Sequence, residues 1–367
     1  MLIHNVIQHL LNILEKKGFK TLVHFELEGV FELRDNHKIL DYAGVNQKLI
    51  KLDIDGELKS EYWKNQWEFV SLFNGQSPLK EAQNLARAMQ LLPAIMCQHG
   101  ASKVLMEPVS WGADKGRYVQ GSGAIFSLDT RSVHIPNAIQ MNVSVKNEHG
   151  ENLFAQDGLG EWIQYELLVN SYAYCLLFLP EEDAFKRLAL RHDYGLDAEL
   201  SSPVILSGGH QGSIALYKQI GKHNQAMGLE PLFFASDNSV LNYAGDWRKT
   251  ARVEHRIGAT SKNYDPYLNM MFILINVLEG INKWQNENLP PIFEDKALPE
   301  SLYDQKNKQD GQEKLGALSL FKNDNWLVNK IDFYCQDIPN INTISLGAKI
   351  KEMMLSKYQR SVITLKS

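Results

Sequence analysis

The sequence has little cysteine, no excess of basic charge and no long apolar run. Its three cysteines, Cys97, Cys175 and Cys335, lie far apart and match no metal-binding spacing, which favours free thiols in a reducing compartment. A net charge of −5 over 367 residues provides no basic footprint for nucleic acid. The first residues lack the basic segment of a signal peptide, and the most apolar run, 174–179, is too short to cross a bilayer. These absences predict a soluble, cytoplasmic protein without nucleic-acid or membrane partners.

A complete phosphate-binding loop is also absent. The run Gly121-Ser122-Gly123 is glycine-rich, but neither the lysine nor the helix of a P-loop follows it. We interpret residues 110–135 as a hairpin or flap. Elsewhere, helical spacing of apolar residues (2–17, 79–99, 267–281 and 346–359) alternates with strand-like runs. Without repeats, low-complexity tracts or clean linkers, the pattern predicts one domain of mixed helices and strands over residues 1–367.

The strand-like run 21–33 separates apolar from acidic side chains. Because strand side chains alternate between faces, Val23, Phe25 and Leu27 share one face with Phe31 and Leu33. The other face carries three like charges, from Glu26, Glu28 and Glu32. Like charges in line repel each other, so a positive group over this face is one interpretation. The other is an edge strand with an acidic outer surface.

A second charged strand is predicted at 252–256. Alternation places Arg252, Glu254 and Arg256 on one face, with Val253 and His255 on the other. A carboxylate between two permanent cations suits a metal ion, and guanidiniums suit phosphate or carboxylate oxygens. The alternative is an ion-pair ladder on the protein surface.

Together with other short motifs, these strands resemble the catalytic domain of glutamine synthetase. The family's strongest signature is an Arg-x-Glu-x-Arg strand followed by Asn-Pro-Tyr-Leu at the start of an apolar helix. Here it reads Arg252-x-Glu254-x-Arg256, then Asp265-Pro266-Tyr267-Leu268 and Glu279-Gly280-Ile281. The remaining matches are Glu26-Leu27-Glu28, Asn65-Gln66-Trp67-Glu68, Asn152-Leu153-Phe154 and Asp183-Ala184-Phe185-Lys186-Arg187-Leu188. Their order agrees with the family from about residue 5 to residue 282.

The resemblance implies an α+β fold, in which a curved antiparallel sheet forms a funnel flanked by helices. It also implies small-molecule substrates, with ATP and Mg²⁺ or Mn²⁺ as cofactors. In the family, ATP phosphorylates the γ-carboxylate of glutamate and an amine then displaces the phosphate. The expected activity is therefore that of a carboxylate–amine ligase, and we expect an amine other than ammonia.

By position, the resemblance assigns roles to individual residues. Glu28, Glu61 and Glu68 correspond to one metal site, and Glu26, Asn142 and Glu254 to the other. Hard divalent cations with oxygen ligands would balance the repulsion among the five glutamates. Arg252 and Lys218 would contact nucleotide phosphates. Arg187 and Arg256 would bind a substrate carboxylate with help from Asn137, and the catalytic set is Arg187, Arg252 and Arg256.

The chain departs from the family in architecture. The family carries an amino-terminal β-grasp domain before the Glu-x-Glu strand, whereas only about twenty residues precede it here. In the family that domain completes the neighbouring subunit's site and helps build the double ring. We therefore expect a single catalytic domain that is a monomer or dimer, or that meets a separate partner protein supplying the missing domain.

The chain also departs in chemistry. Asn142 stands where the family has a metal-binding histidine, and Ser144 where it has a second histidine. Gly212 and Tyr217 lie near the places of two arginines, and Ser201 near that of a glutamate. These substitutions support a second hypothesis, a degenerate homologue that binds a nucleotide, metabolite or partner protein without turnover. Both hypotheses remain open from the sequence.

Overall fold

The computed structural model describes residues 2–35, 37, 39–61, 63–72, 74–112, 133–189, 199–201, 214–219, 229–234, 240–306, 313–338 and 345–363. Within these residues the helices, in chain order, are α1 (Leu2–Lys16), α2 (Tyr42–Lys51), α3 (Pro78–Gln98), α4 (Leu159–Ser171), α5 (Glu182–Ala189), α6 (Pro266–Trp284), α7 (Ala317–Asn323), α8 (Trp326–Tyr334) and α9 (Leu346–Ile363).

One antiparallel sheet organises the chain around a long strand, β1 (Lys20–Leu33). The other strands of this sheet are β2 (Glu57–Ser60), β3 (Gln66–Val70), β4 (Ala101–Leu105), β7 (Ile139–Lys146), β9 (Ile214–Tyr217) and β12 (Arg252–His255). Their order is β2-β3-β1-β7-β12-β9, and β4 pairs with the end of β1 beyond β3. The sheet is open rather than closed into a barrel.

Short two-stranded ladders lie outside the main sheet. They pair β5 (Val109–Gly112) with β6 (Val133–Pro136), β8 (Glu199–Leu200) with β13 (Lys296–Ala297), β10 (Leu229–Phe234) with β11 (Val240–Ala244), and β14 (Gln305–Lys306) with β15 (Glu313–Lys314). The β5–β6 pair joins the two ends of the expected flap, but residues 113–132 lie outside the described residues.

The apolar face of the sheet packs against α6, the most deeply buried helix among those described. Asp265 begins this helix by accepting hydrogen bonds from the backbone N–H groups of Tyr267 and Leu268, and Pro266 occupies its first turn. Every residue from Leu268 to Ile281 is buried. Such an all-round apolar helix is stable only inside a core. Helix α6 contacts β1, and α4 contacts β12. The opposite face of the sheet is left for polar groups.

Most of the predicted long elements are confirmed. One is wrong in part, because apolar spacing predicts a helix over 162–179, whereas α4 ends at Ser171 and a short 3-10 turn follows at Cys175–Leu177. The structure contains the helices predicted near 2–17, 79–99, 267–281 and 346–359, and the strand predicted at 21–33. The polar sequence of residues 34–58 predicts turns, but this segment contains α2, whose apolar stripe is narrow because only Val45 and Leu49 are buried. The sequence also predicts a short helix at 222–229, and most of that segment lies outside the described residues. No described helix has the length and apolar character needed to span a membrane.

Candidate active site

The polar face of the sheet is built by strand register. Residues directly opposite each other in antiparallel strands point to the same face. One row contains His24 of β1, Asn142 of β7 and Glu254 of β12. Further along β1, Glu26 lies opposite Gln140 of β7. Glu28, two residues beyond Glu26, lies opposite Glu68 of β3. Five of the predicted site residues therefore share one face: Glu26, Glu28, Glu68, Asn142 and Glu254.

Glu254 lies between the two arginines of its own strand. Its side chain has no exposed surface, and Oε2 accepts a hydrogen bond of 3.1 Å from Nη2 of Arg252. On the other side, Arg256 Nε lies 3.4 Å from Glu254 Oε1, and only 6% of the Arg256 side chain is exposed. The structure thus confirms the alternation predicted from the sequence, and it excludes a ladder on the protein surface because the carboxylate is buried.

Asn142 links this ion-pair cluster to Glu26. Its Nδ2 donates to Glu26 Oε1 over 2.9 Å, and its Oδ1 accepts from Arg252 Nε over 2.6 Å. The orientation of the amide follows from its partners, since the carboxylate needs a donor and the guanidinium needs an acceptor. A continuous chain of contacts therefore runs from Glu26 through Asn142 and Arg252 to Glu254.

Tyr217 of β9 holds both arginines, a role that the sequence did not predict. The guanidinium carbon of Arg252 lies 4.7 Å from the centre of the tyrosine ring, a cation–π contact. The hydroxyl accepts a hydrogen bond of 2.7 Å from Arg256 Nη1. Burial lowers the pKa of Arg256, but Glu254 and Tyr217 outweigh burial and leave that pKa above its usual value. Both guanidiniums are therefore fixed cations.

Glu28 lies close to other carboxylates on the polar face. Burial first, and then the charge of Glu61, raise the pKa of Glu28 to about 8. The nearby charge of Arg187 lowers it, as does a hydrogen bond of 2.8 Å from the Ala138 N–H to Glu28 Oε2. Glu68 lies directly across from Glu28 on β3. A cation in this region would lower the electrostatic cost of ionising these carboxylates.

Arg187 reaches the polar face from α5. Only 2% of the residue is exposed, and Nη1 donates to the Ile257 carbonyl over 3.0 Å. Its Nε has no hydrogen-bond partner within the described part of the chain. Burial lowers the pKa of Arg187 to about 10, with Glu28 opposing this shift and Arg256 adding to it. The group is still protonated at neutral pH, and an acidic ligand could satisfy the unpaired donor.

The expected metal ligands do not form a ready-made cage. Glu61 precedes β3, and its backbone N–H donates to the Gln66 carbonyl over 3.0 Å. Among the described residues, no group of three or more His, Cys, Asp or Glu side chains is arranged to hold a metal ion. The donor chemistry around Glu28, Glu61 and Glu68 nevertheless fits a hard cation, because carboxylate oxygens repel each other there.

Two predicted residues have their polar groups engaged within the protein. Asn137 is fully buried, and its amide contacts the Glu107 carbonyl, Ser110 Oγ and Gln66 Nε2 at 2.9, 3.1 and 3.2 Å. Lys218 forms ion pairs with Asp157 and, at 3.1 Å, with Glu161 near the start of α4. Lys218 follows Tyr217, which pairs with Arg252 in the sheet, but its ammonium group is engaged by Asp157 and Glu161. Binding of a substrate by Asn137 would require exchange of an internal hydrogen bond.

A cavity of about 460 Å³ adjoins the polar face beside β1 and β3, and the sequence reasoning did not single it out. His24, Glu26, Lys59 and Ser71 contribute to its lining. His24 Nδ1 lies 3.0 Å from Ser71 Oγ and 3.4 Å from Oε1 of the buried Glu81. The period of two in β1 already places His24 on the face of Glu26, so this residue could have been found.

Comparisons with known proteins indicate one kind of fold. No family model matches the chain, and no curated protein matches it in sequence. Among solved structures, one described as a novel glutamine synthase homologue covers 96% of this chain and 71% of its own, with 16% identity and a TM-score of 0.59.

Two structures of GmaS are also similar to this chain. The apo form has 15% identity and the ADP complex 14%. Each covers 98% of this chain and 74% of its own, with a TM-score of 0.57. Identities this low establish a fold and no activity. The resemblance that the short motifs indicated is confirmed at that level, and the chain has the fold of glutamine synthetase homologues.

Proposed function

We propose that this protein is an ATP-dependent carbon–nitrogen ligase that converts the carboxylate of a small, glutamate-like acid into an amide. The carboxylate would attack the γ-phosphorus of ATP, ADP would leave, and an amine other than ammonia would then displace phosphate from the acyl phosphate. The observation that carries the proposal is the shared polar face, where Arg187, Arg252 and Arg256 meet carboxylates from three strands. That one of the similar structures is a GmaS complex with ADP supports nucleotide binding.

Arg187 and Arg256 are the proposed binders of the acid substrate. Arg187 lies in a nearly fully buried position beside Glu28, and its Nε has no hydrogen-bond partner among the residues that the structure describes. A planar guanidinium binds a carboxylate through two parallel hydrogen bonds, which orients the carboxylate as well as holding it. Arg256 is fixed by Glu254 and Tyr217, so it offers a preorganised positive charge to the same region. Groups fixed in advance stabilise developing charge without reorganisation.

Glu28, Glu61 and Glu68 are the proposed ligands of a divalent cation, Mg²⁺ or Mn²⁺. When bound, such an ion would neutralise the negative charge that builds up during phosphoryl transfer. The side chains fit this role because the charge of Glu61 already raises the pKa of Glu28. Arg252 lies on the same face and is the proposed contact for nucleotide phosphates, whereas the contacts of Lys218 with Asp157 and Glu161 weaken the case for a similar role there.

The second hypothesis, binding without turnover, is supported by the contacts of Asn142 with Glu26 and Arg252. Asn142 takes the place of a histidine ligand, and both of its amide atoms are already hydrogen-bonded within the protein. A site in which these atoms are engaged could bind a nucleotide or metabolite and still lack the charge stabilisation needed for phosphoryl transfer.

A single assay separates the two hypotheses. The purified protein is incubated with ATP, Mg²⁺, glutamate and a panel of primary amines, and ADP release and amide formation are measured by a coupled assay and mass spectrometry. The ligase proposal requires ADP release that depends on both the acid and an amine. Nucleotide binding by calorimetry without ADP release for any pair would instead favour the non-catalytic homologue.

Matched variants test the site assignment. Arg187→Lys replaces the planar fork with a point charge, so KM for the acid should rise at least tenfold. Arg248→Lys is the control, because Arg248 is exposed and pairs only locally with Asp246 at 2.8 Å. Equal KM values for both variants would remove Arg187 from the acid-binding site.

A further inference from the structure

We infer that the Arg252 guanidinium takes the place of a second metal ion on the polar face, so that this site binds one divalent cation rather than two. The inference deepens the proposed function and rests on it for the identity of the remaining cation. It concerns the position enclosed by Glu26, Asn142 and Glu254, which the sequence resemblance had assigned to a metal.

The geometry shows which atoms are already engaged. Arg252 Nε lies 2.6 Å from Asn142 Oδ1, and Arg252 Nη2 lies 3.1 Å from Glu254 Oε2. A metal bound here would need these two oxygens as ligands, with metal–oxygen distances of about 2.1 Å for Mg²⁺. Asn142 has no other atom that could bind a cation, since its Nδ2 donates to Glu26. A metal bound to both of these oxygens would compete with the guanidinium for them.

The charges lead to the same conclusion. Around Asn142, the carboxylates of Glu26 and Glu254 face the guanidiniums of Arg252 and Arg256, so two negative and two positive charges meet there among the described residues. A dication added to this group would meet two permanent positive charges where little water can screen them. The carboxylates of Glu28 and Glu68 lie opposite each other on β1 and β3. Together with Glu61, they remain the proposed ligands of the single cation.

Tyr217 explains why Arg252 stays in this position. The tyrosine ring supports the guanidinium carbon at 4.7 Å, and the tyrosine hydroxyl is held in turn by Arg256. The Arg252 side chain is 22% exposed, so one edge of the guanidinium remains accessible from the polar face. It can contact a bound phosphate while its other donors hold Asn142 and Glu254. The chain thus carries within itself one positive charge that a second metal would otherwise supply.

Counting bound Mn²⁺ ions tests the inference. Free Mn²⁺ is measured by electron paramagnetic resonance while the parent protein, the Asn142→His variant and the Asn142→His/Arg252→Gln double variant are titrated. The double variant removes the guanidinium and restores an imidazole, a good ligand for Mn²⁺. It should bind one more ion per chain than the parent. Asn142→His alone should match the parent, because Arg252 remains in place, and Arg248→Gln is the control for loss of an arginine elsewhere.

Several results would overturn the inference. Two ions bound to the parent would do so, and so would a double variant that keeps its circular dichroism spectrum but gains no ion. A parent without any bound ion would count against the proposed function, while a gain of one ion in the double variant would still support the role of Arg252.

If the variants do not fold, a measurement on the parent protein alone still tests the inference. Crystals soaked in Mn²⁺ should show Arg252 in contact with Asn142 and no anomalous peak between Glu26 and Glu254. A peak at that position would refute the inference.

Discussion

Replacing Glu254 by glutamine should destabilise the fold strongly, although the two side chains have nearly the same shape. The change removes the only negative charge that lies between Arg252 and Arg256 on their own strand. It also turns one acceptor oxygen into an NH₂ group that must face a guanidinium donor. Arg252 and Arg256 would then keep their positive charges and lose the carboxylate that lies between them.

The expected magnitude follows from burial. Breaking a buried ion pair by removing one partner costs about 3–5 kcal/mol, because an uncompensated charge remains inside the protein. Arg256 is only 6% exposed and meets this condition, whereas Arg252 is 22% exposed and keeps its hydrogen bond to Asn142. We therefore expect the lower end of the range, a loss of about 3 kcal/mol in the free energy of unfolding.

Urea denaturation followed by circular dichroism measures this loss. The control is Glu32→Gln on the same strand as Glu26, since Glu32 is 62% exposed and lies 3.8 Å from Lys103. A surface change of this kind shifts stability by no more than about 0.5 kcal/mol. Adding Arg256→Met to Glu254→Gln should cost less than the sum of the two single changes, because the orphaned charge is then gone. If Glu254→Gln lowers the free energy of unfolding no more than the control does, the buried ion pairs of Glu254 do not stabilise these strands.

Three further predictions concern other parts of the fold. Tyr217→Phe keeps the ring under Arg252 but removes the acceptor for Arg256, so unfolding free energy should fall by about 1.5–3 kcal/mol in urea titrations. Gly280→Ala should lower the free energy of unfolding by about 1–3 kcal/mol in the same assay, because the new Cβ would lie 2.6 Å from Ile163 Cγ1. This loss is expected despite the higher helix propensity of alanine. Equal or greater stability of the variant would contradict this packing. Burial lowers the pKa of His255 to about 3, so below about pH 6.5 the unfolded chain binds a proton that the folded chain excludes. Stability of the parent should fall by about 1.4 kcal/mol for each pH unit lost between pH 6 and 4 beyond any fall seen in His255→Gln, and identical pH slopes would show that the imidazole is not held neutral.

The candidate site was predictable in part because strand periodicity is a local property. Alternation along a strand fixes which residues share a face, so Glu26 with Glu28, and Arg252 with Glu254 and Arg256, could be grouped from the sequence. The same logic would have included His24. The short helix α2 was missed because a ten-residue helix with two buried apolar positions resembles a polar turn region.

Contacts between strands could not be predicted in the same way. Asn142 and Arg252 are 110 residues apart, and whether the amide meets a metal or a guanidinium depends on the register of β7 with β12 and on the side-chain orientations. Lys218 was expected beside the nucleotide, yet it pairs with Asp157 and Glu161 near the start of α4. The local sequence does not show whether the Lys218 side chain points toward a nucleotide or toward α4.

The sequence by itself determined the period of each long element, the capped start of α6 at Asp265-Pro266, the acidic face of β1 and the charged face of the 252–256 strand. These features arise within one strand or one helical turn, where backbone geometry alone decides what lies together. Only the tertiary structure decided which charges compensate each other. It placed Arg252 among Glu26, Asn142 and Glu254, and left Glu28 beside Glu61. Electrostatic energies vary with distance and burial over a few ångströms, and those quantities exist only once distant segments have packed.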